Sequence, residues 1–204
     1  MFKKTLLSAA VISLASLTGV AQAEQVNGYL FASIGQSDAD ISKSALDNYW
    51  GVVPGVSSSL DTKDTAFKIG AGIQLNPYVG VEFQYIDLGE LSYKATDGVA
   101  VARTTAETQG LGLNAVGTLP LDRLSLFGKV GYHQLRTKAK DKFTVFGITD
   151  SESYSDKEWV WSWGVGASLM LTESFSLVAE YERYRDVADT YDVDFVSAGL
   201  RYNF

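Results

Sequence analysis

Eight stretches of the chain alternate apolar and polar residues with a period of two, at 26–36, 65–75, 78–88, 106–117, 124–135, 159–171, 175–184 and 193–204. That period is the mark of strands with one apolar and one polar face, and about ten residues is the length of a strand that crosses a bilayer. The second sets Phe67, Ile69, Ala71, Ile73 and Leu75 against Lys68, Gly70, Gly72 and Gln74. The sixth has the strongest row, Trp159, Trp161, Trp163, Val165, Ala167, Leu169 and Leu171, backed by Ser162, Gly164, Gly166 and Ser168. The last runs Val196, Ala198, Leu200, Tyr202 and Phe204 against Ser197, Gly199, Arg201 and Asn203. Two segments are less regular: Phe31 shares a row with Ser33 and Gly35, and Gln109 with Leu111 and Leu113.

The connections alternate as well. Asn76-Pro77, Thr118 to Arg123 and Thr172 to Ser174 are tight, whereas 37–64, 89–105, 136–158 and 185–192 are longer and polar. Short turns at one end and long loops at the other predict an all-β, eight-stranded antiparallel up-and-down transmembrane barrel with both termini in the periplasm. A secreted soluble barrel around a greasy ligand also has about eight alternating strands. The polar rows argue against it, because they hold glycine, serine, glutamine and charge, which suit a narrow lumen better than a packed apolar interior. Tyr85, Tyr132, Trp159 and Tyr181 fall near the long-loop ends, and Phe175, Tyr202 and Phe204 near the short-turn ends. This predicts two aromatic girdles.

The polar rows also carry Lys68, Glu82, Lys129, Glu180, Glu182 and Arg201. Counted from the short turns, most of their offsets put them roughly 8–18 Å up the wall, at one depth. Buried charges without partners cost several kcal/mol each, so three cations and three anions at one level are expected to pair in an internal network. Such a network reads as a plug, or else as the gate of a narrow pore. His133, the sole histidine, also points inward and has no obvious Ser partner, which leaves a lipid A-modifying enzyme as a remote alternative.

Composition adds the address. Met1-Phe2-Lys3-Lys4 followed by the apolar run Thr5 to Leu17 and Ala21-Gln22-Ala23 has the form of an export signal, so 1–23 is expected to be a cleaved signal peptide and 24–204 the barrel domain. Loss of Lys3 and Lys4 takes the formal charge from −7 to −9, which leaves nothing basic enough for nucleic acid. With no cysteine, neither disulfides nor thiolate metal sites are available; no cofactor or metal is expected. The third long connection carries Arg136, Lys138, Lys140 and Lys142, then turns acidic at Asp150, Glu152, Asp156 and Glu158; Arg183 and Arg185 lie at the rim. These six cations are candidate contacts for lipopolysaccharide phosphates. The first long connection exposes Tyr49, Trp50, Val52, Val53 and Pro54 in a polar stretch, which reads either as a partner surface or as disorder.

The runs Tyr29-Leu30-Phe31-Ala32-Ser33-Ile34-Gly35, Leu126-Phe127-Gly128-Lys129-Val130-Gly131-Tyr132, Ala179-Glu180-Tyr181-Glu182-Arg183-Tyr184 and Ser197 to Phe204 resemble the OmpA-like eight-stranded outer-membrane barrels, in the barrel domain alone. The resemblance implies that Tyr202 and Phe204 form the signal read by the outer-membrane assembly machinery. It also implies that Glu82, Lys129, Glu180 and Arg201 belong to the family's lumen charge network. Members of this class variously support envelope integrity, adhesion, serum resistance or slow solute diffusion. The expectation is therefore a monomeric, non-catalytic scaffold set in outer-membrane lipid and lipopolysaccharide, whose loops meet a host or cell-surface ligand. The runner-up is a narrow porin-like channel.

Overall fold

The computed structural model describes residues 27–53, 55–146 and 148–204. The expected signal peptide, and Val26, assigned to the first strand, lie outside them. Nine strands and one helix follow in order: β1 (Asn27–Ala39), α1 (Lys43–Tyr49), β2 (Ser57–Asp61), β3 (Lys63–Asn76), β4 (Val79–Thr96), β5 (Ala100–Leu121), β6 (Leu124–Val145), β7 (Ile148–Met170), β8 (Phe175–Val187) and β9 (Tyr191–Asn203). All pairings are antiparallel. Eight strands close a ring, with β1 hydrogen-bonded to both β3 and β9 and β4 to both β3 and β5. Each of the eight segments read from the alternation becomes one stave of the wall.

The ninth strand was not expected. β2 lies within the first long connection and pairs only with the far end of β4, Ser57 opposite Thr96 and Asp61 opposite Ser92. The same connection contains α1, whose first turn is capped by the Ser42 side chain accepting from the Ala45 N–H. So this segment is neither disordered nor wholly exposed. Leu46, Trp50, Val52, Val56 and Leu60 pack on buried Tyr93, Ala95 and Ala102, while Tyr49 and Val53 stay exposed. Pro54 lies outside the described residues. The physical reason is that these apolar side chains find an apolar patch on the inner face of the extended wall, which offsets the entropy of ordering the loop.

Two other connections expected as loops are strand. β5 and β6 run 22 residues and β7 23, against 13 for β1, β8 and β9. The 136–158 connection shrinks to the turn around Phe146, and 89–105 to Asp97–Val99, where the Asp97 carboxylate accepts from the N–H groups of Val99 and Ala100. Rows such as Lys138, Lys140 and Lys142 against Thr137, Ala139 and Asp141 lack the apolar contrast that marks a strand. Unbroken pairing from Leu124–Leu169 to Val145–Ile148 satisfies their backbone nevertheless. The wall is therefore tall on the β4–β7 side and short on the other.

A bulge in β4 shapes the tall side. The β4–β5 register slips between Asp87 and Glu90, with Gly89 at φ 77°, and the Asp64 carboxylate accepts from the Glu90 N–H at 2.7 Å. The inward row passes from Ile86 and Leu88 to Leu91, Tyr93 and Ala95, as an inserted residue requires. Without that change of parity, Tyr93 would face out, away from α1.

Candidate lumen charge network and outer surface

All six inward charges meet. Lys68 donates to Glu180 Oε2 at 2.6 Å and to Glu182; Lys129 donates to Glu182 Oε1 at 2.9 Å and to Glu180, and lies 3.4 Å from Glu82 Oε2; Arg201 Nη2 lies 3.4 Å from Glu82 Oε1. The Tyr29 hydroxyl also donates to Glu82 Oε1 at 2.8 Å, and the Arg201 guanidinium sits over the Tyr29 ring, 4.2 Å from its centroid. Lys68, Lys129 and the three glutamates are at most 4% exposed along their side chains. Three cations against three carboxylates leave the cluster neutral, which is the condition for keeping it out of water.

Above it lies a polar layer that sequence reading missed. Gln84 Nε2 donates to the Tyr184 hydroxyl at 3.0 Å and sits 3.2 Å from His133 Nε2, while Ser162 Oγ lies 3.4 Å from His133 Nδ1. His133 therefore does have a serine neighbour, contrary to expectation; it is on β7, 29 residues away in sequence. Both side chains are almost wholly buried inside the wall, where no lipid reaches them.

Above that comes an apolar layer, Ile86, Leu88, Leu135, Val160, Tyr184, Val187, Val193 and Phe195. Its signal was present as an inward row running through Tyr191, Val193 and Phe195. That row extends into 185–192, expected as a loop, where Val187 and Tyr191 are strand and buried. A smaller apolar group, Val116, Phe127 and Val178, lies apart from this layer.

On the outer face Tyr132 stacks on Trp159, centroids 5.0 Å apart and planes 11° from parallel, and Tyr181 meets Trp163 edge-on at 5.6 Å. The Tyr85 hydroxyl donates to Gln109 at 2.7 Å, which gives the odd polar residue in that apolar row its partner. At the short-turn end Phe175, Tyr202 and Phe204 form a chain of rings with centroids 5.1 and 6.2 Å apart. The Phe204 ring covers Gly28, where a Cβ would lie 2.6 Å from the ring, and the Phe204 N–H donates to the Gly28 carbonyl at 3.0 Å across the β1–β9 seam.

The six rim cations do not form one group. Arg136, Lys138, Lys140 and Lys142 share the outer row of β6, with Arg136 Nε donating to Ser155 Oγ at 2.8 Å. Arg183 instead grips Asp194 with two bonds of 2.6 Å, joined by the Tyr181 hydroxyl at 2.6 Å, and Arg185 pairs with Asp192 at 3.3 Å. These two arginines are engaged with carboxylates. Lys94, Arg103 and Lys157, not singled out by the sequence, sit beside the β6 row: Arg103 pairs in register with both Lys94 and Lys142, and Lys157 with Arg136.

A model of the outer membrane protein beta-barrel domain matches residues 7–204. The chain belongs to the OmpA-like outer-membrane β-barrel family. It is 27% identical over 140 residues to outer membrane protein A of Klebsiella pneumoniae, a match covering 65% of this chain and 39% of that relative. The chain thus spans well under half the length of that relative. In fold it is similar to the attachment invasion locus protein Ail of Yersinia pestis, with a TM-score of 0.55 at 18% identity over 89% of this chain and 100% of Ail. It is likewise similar to neisserial surface protein A, with a TM-score of 0.52 at 17% identity over 87% and 97% of the two chains. Membership in this family makes the outer apolar face of the barrel its lipid face.

Proposed function

We propose that this family member is a non-catalytic integral outer-membrane scaffold. Its short turns and both termini face the periplasm, and its tall hairpins, with α1, form the surface presented outside. The observation that carries the reading is the filled lumen, in which a neutral six-charge cluster underlies a polar and then an apolar layer. A barrel so filled spends its interior on rigidity rather than on transport. What varies in such a protein is the outer end, where β2 and α1 give the first connection a fixed shape suited to envelope integrity or to contact with lipopolysaccharide or another cell surface. Tyr202, on the strand that seals the ring, and Phe204, just past its end, fit the role of an assembly signal for the outer-membrane machinery.

Planar-bilayer recording on the purified protein tests the scaffold reading. Silent bilayers are expected; steady channels whose conductance changes in Glu82→Ala or Arg201→Ala would establish the pore instead. Mass spectrometry of lipid A from cells with and without the protein tests the enzyme reading. A mass change lost in His133→Ala would overturn the non-catalytic assignment.

A further inference from the structure

Of the fifteen Lys and Arg side chains from Lys43 to Arg201, seven pair with carboxylates. Of the other eight, which have no such partner among the described residues, seven lie on one surface. Lys94 of β4, Arg103 of β5, Arg136, Lys138, Lys140 and Lys142 of β6 and Lys157 of β7 all occupy outward positions on the tall wall and are adjacent by register; Arg123, in a short turn, is the exception. The surface is concave. A hollow of about 430 Å³ is lined by Arg103, Lys138, Lys140 and Lys142, with only Glu90 and Glu107 of opposite sign.

Charge segregates across this sheet as apolarity does lower down. On the hairpin of β6 and β7 the lysines point out, while Asp141, Asp150, Glu152 and Asp156 alternate to the other face. For a chain of formal charge −7, so strong a local excess of cations has an electrostatic cost that an anion on that face would relieve. The inner face of the same wall is occupied by α1 and its flanking apolar residues. Among the described residues, nothing packs on the outer face. It stands directly above Tyr132 and Trp159, in the same outward rows, and so meets whatever surrounds the barrel just above the lipid interface.

We propose that this face binds the phosphate groups of a multiply phosphorylated glycolipid, lipopolysaccharide, in the surrounding leaflet. From Arg136 to Lys142 the cations recur about every 7 Å along the strand, which climbs roughly 15 Å up the wall at the tilt of such barrels. That ladder matches a ligand whose phosphates sit at several heights, and it exceeds what a single phospholipid headgroup can engage. Lysine and arginine side chains there donate the charge-assisted hydrogen bonds that phosphate oxygens accept. Lys94, Arg103 and Lys157 join the site; Arg183 and Arg185, held by Asp194 and Asp192, do not. This inference rests on the orientation proposed above.

The two are tested apart. A Ser153→Cys variant on the same face should react with a membrane-impermeant maleimide in intact cells; no labelling would overturn the orientation. Binding is measured on the detergent-folded protein with purified lipopolysaccharide and with the same material enzymatically dephosphorylated. The Arg103→Gln/Lys138→Gln/Lys140→Gln/Lys142→Gln variant should bind lipopolysaccharide at least tenfold more weakly, a loss that two of the four cations would already reach at roughly fivefold each. Lys43→Gln/Lys63→Gln should bind as the parent, lysine-to-arginine replacements should retain binding, and dephosphorylated material should bind no better than the quadruple variant. A difference in SDS-gel migration before and after boiling, expected of a folded membrane barrel, checks that each variant is folded. Equal binding by the quadruple variant, or of the dephosphorylated glycolipid, would overturn the proposal. So would a site that takes inorganic phosphate or heparin while ignoring lipopolysaccharide.

Discussion

Lys68 on β3 and Glu180 on β8 meet at 2.6 Å inside the barrel, although β1 and β9 stand between their strands in the wall. The contact crosses the lumen and, with Lys129 and Glu182, ties opposite staves together. Removing Lys68 leaves two adjacent carboxylates on a single ammonium. Breaking such a buried group costs about 3–5 kcal/mol, whereas replacing a whole pair by apolar residues of similar volume costs far less. Lys68→Met should therefore lower the stability of the folded barrel by that amount in urea titrations in detergent, and Lys68→Met/Glu182→Leu should recover more than half of the loss. A double variant as unstable as the single one would show that packing, not charge, is what matters there.

His133 fits only because of two glycines. A Cβ on Gly112 would lie 1.9 Å from His133 Cδ2, and one on Gly131 would lie 2.5 Å from His133 Cε1 and 2.0 Å from Asn114 Oδ1. Gly131→Ala should destabilise the barrel by about 1–3 kcal/mol, the usual cost of overfilling a packed interior. The lipid-facing glycines provide the contrast: on Gly117 and Gly128 the nearest atom to a new Cβ is 3.9 and 3.8 Å away. Alanine there should leave the unfolding midpoint unchanged.

The layers of the lumen are expected to act separately. Leu135 is fully buried in the apolar layer, so Leu135→Ala should cost about 2–5 kcal/mol through the cavity it leaves. The charge cluster beneath stays whole in that variant. Bilayer recordings should accordingly remain silent even as the urea midpoint falls.

Docking of α1 should have a defined pH window. The Tyr93 hydroxyl donates to Asp47 at 2.6 Å, well beyond the girdle, and Trp50 Nε1 donates to Thr104 at 3.1 Å. Hydrogen bonds from Tyr93 first, then from Ser58 and Lys43, hold the Asp47 carboxyl down at about 2, below its ordinary 3.8. Burial first, then the bond to Asp47, pushes the Tyr93 phenol up to about 12 from 10. The Asp47 contribution is complete above its unfolded value and is lost as pH falls from about 4 through about 2. The Tyr93 contribution is complete below 10 and is lost as pH rises through about 12. Amide exchange at 43–50, corrected for its intrinsic pH dependence, should be slowest between these limits. Tyr93→Phe should speed it severalfold at neutral pH, with no change in the strands of the barrel.

Much of this architecture is legible in the sequence, since the wall repeats one rule. Each stave must show lipid one row and the lumen the other, so Phe67, Ile69, Ala71 and Ile73 declare their face without reference to any neighbour. Facing likewise put Lys68, Glu82, Lys129, Glu180, Glu182 and Arg201 inside. Which ammonium meets which carboxylate is another matter, because it depends on stagger between strands and on side-chain reach, and neither is encoded locally. His133 and Ser162 show the same limit.

The tall wall was hidden for a different reason. Residues 136–142 and 149–158 set lysine and serine mostly against aspartate, glutamate and threonine, and two polar rows give no hydrophobic period to read. Only strand pairing reveals that Lys138, Lys140 and Lys142 share a face with Arg103 and that Asp194 already holds Arg183. Likewise the Gly89 bulge turns Tyr93 inward and gives Trp50 and Leu46 a surface to cover. The sequence alone determined the staves, their facing and the family, through the local contrast between lipid and lumen. Tertiary structure decided the partners, the height of the wall and the order in the first connection, because these depend on register between segments far apart in the chain.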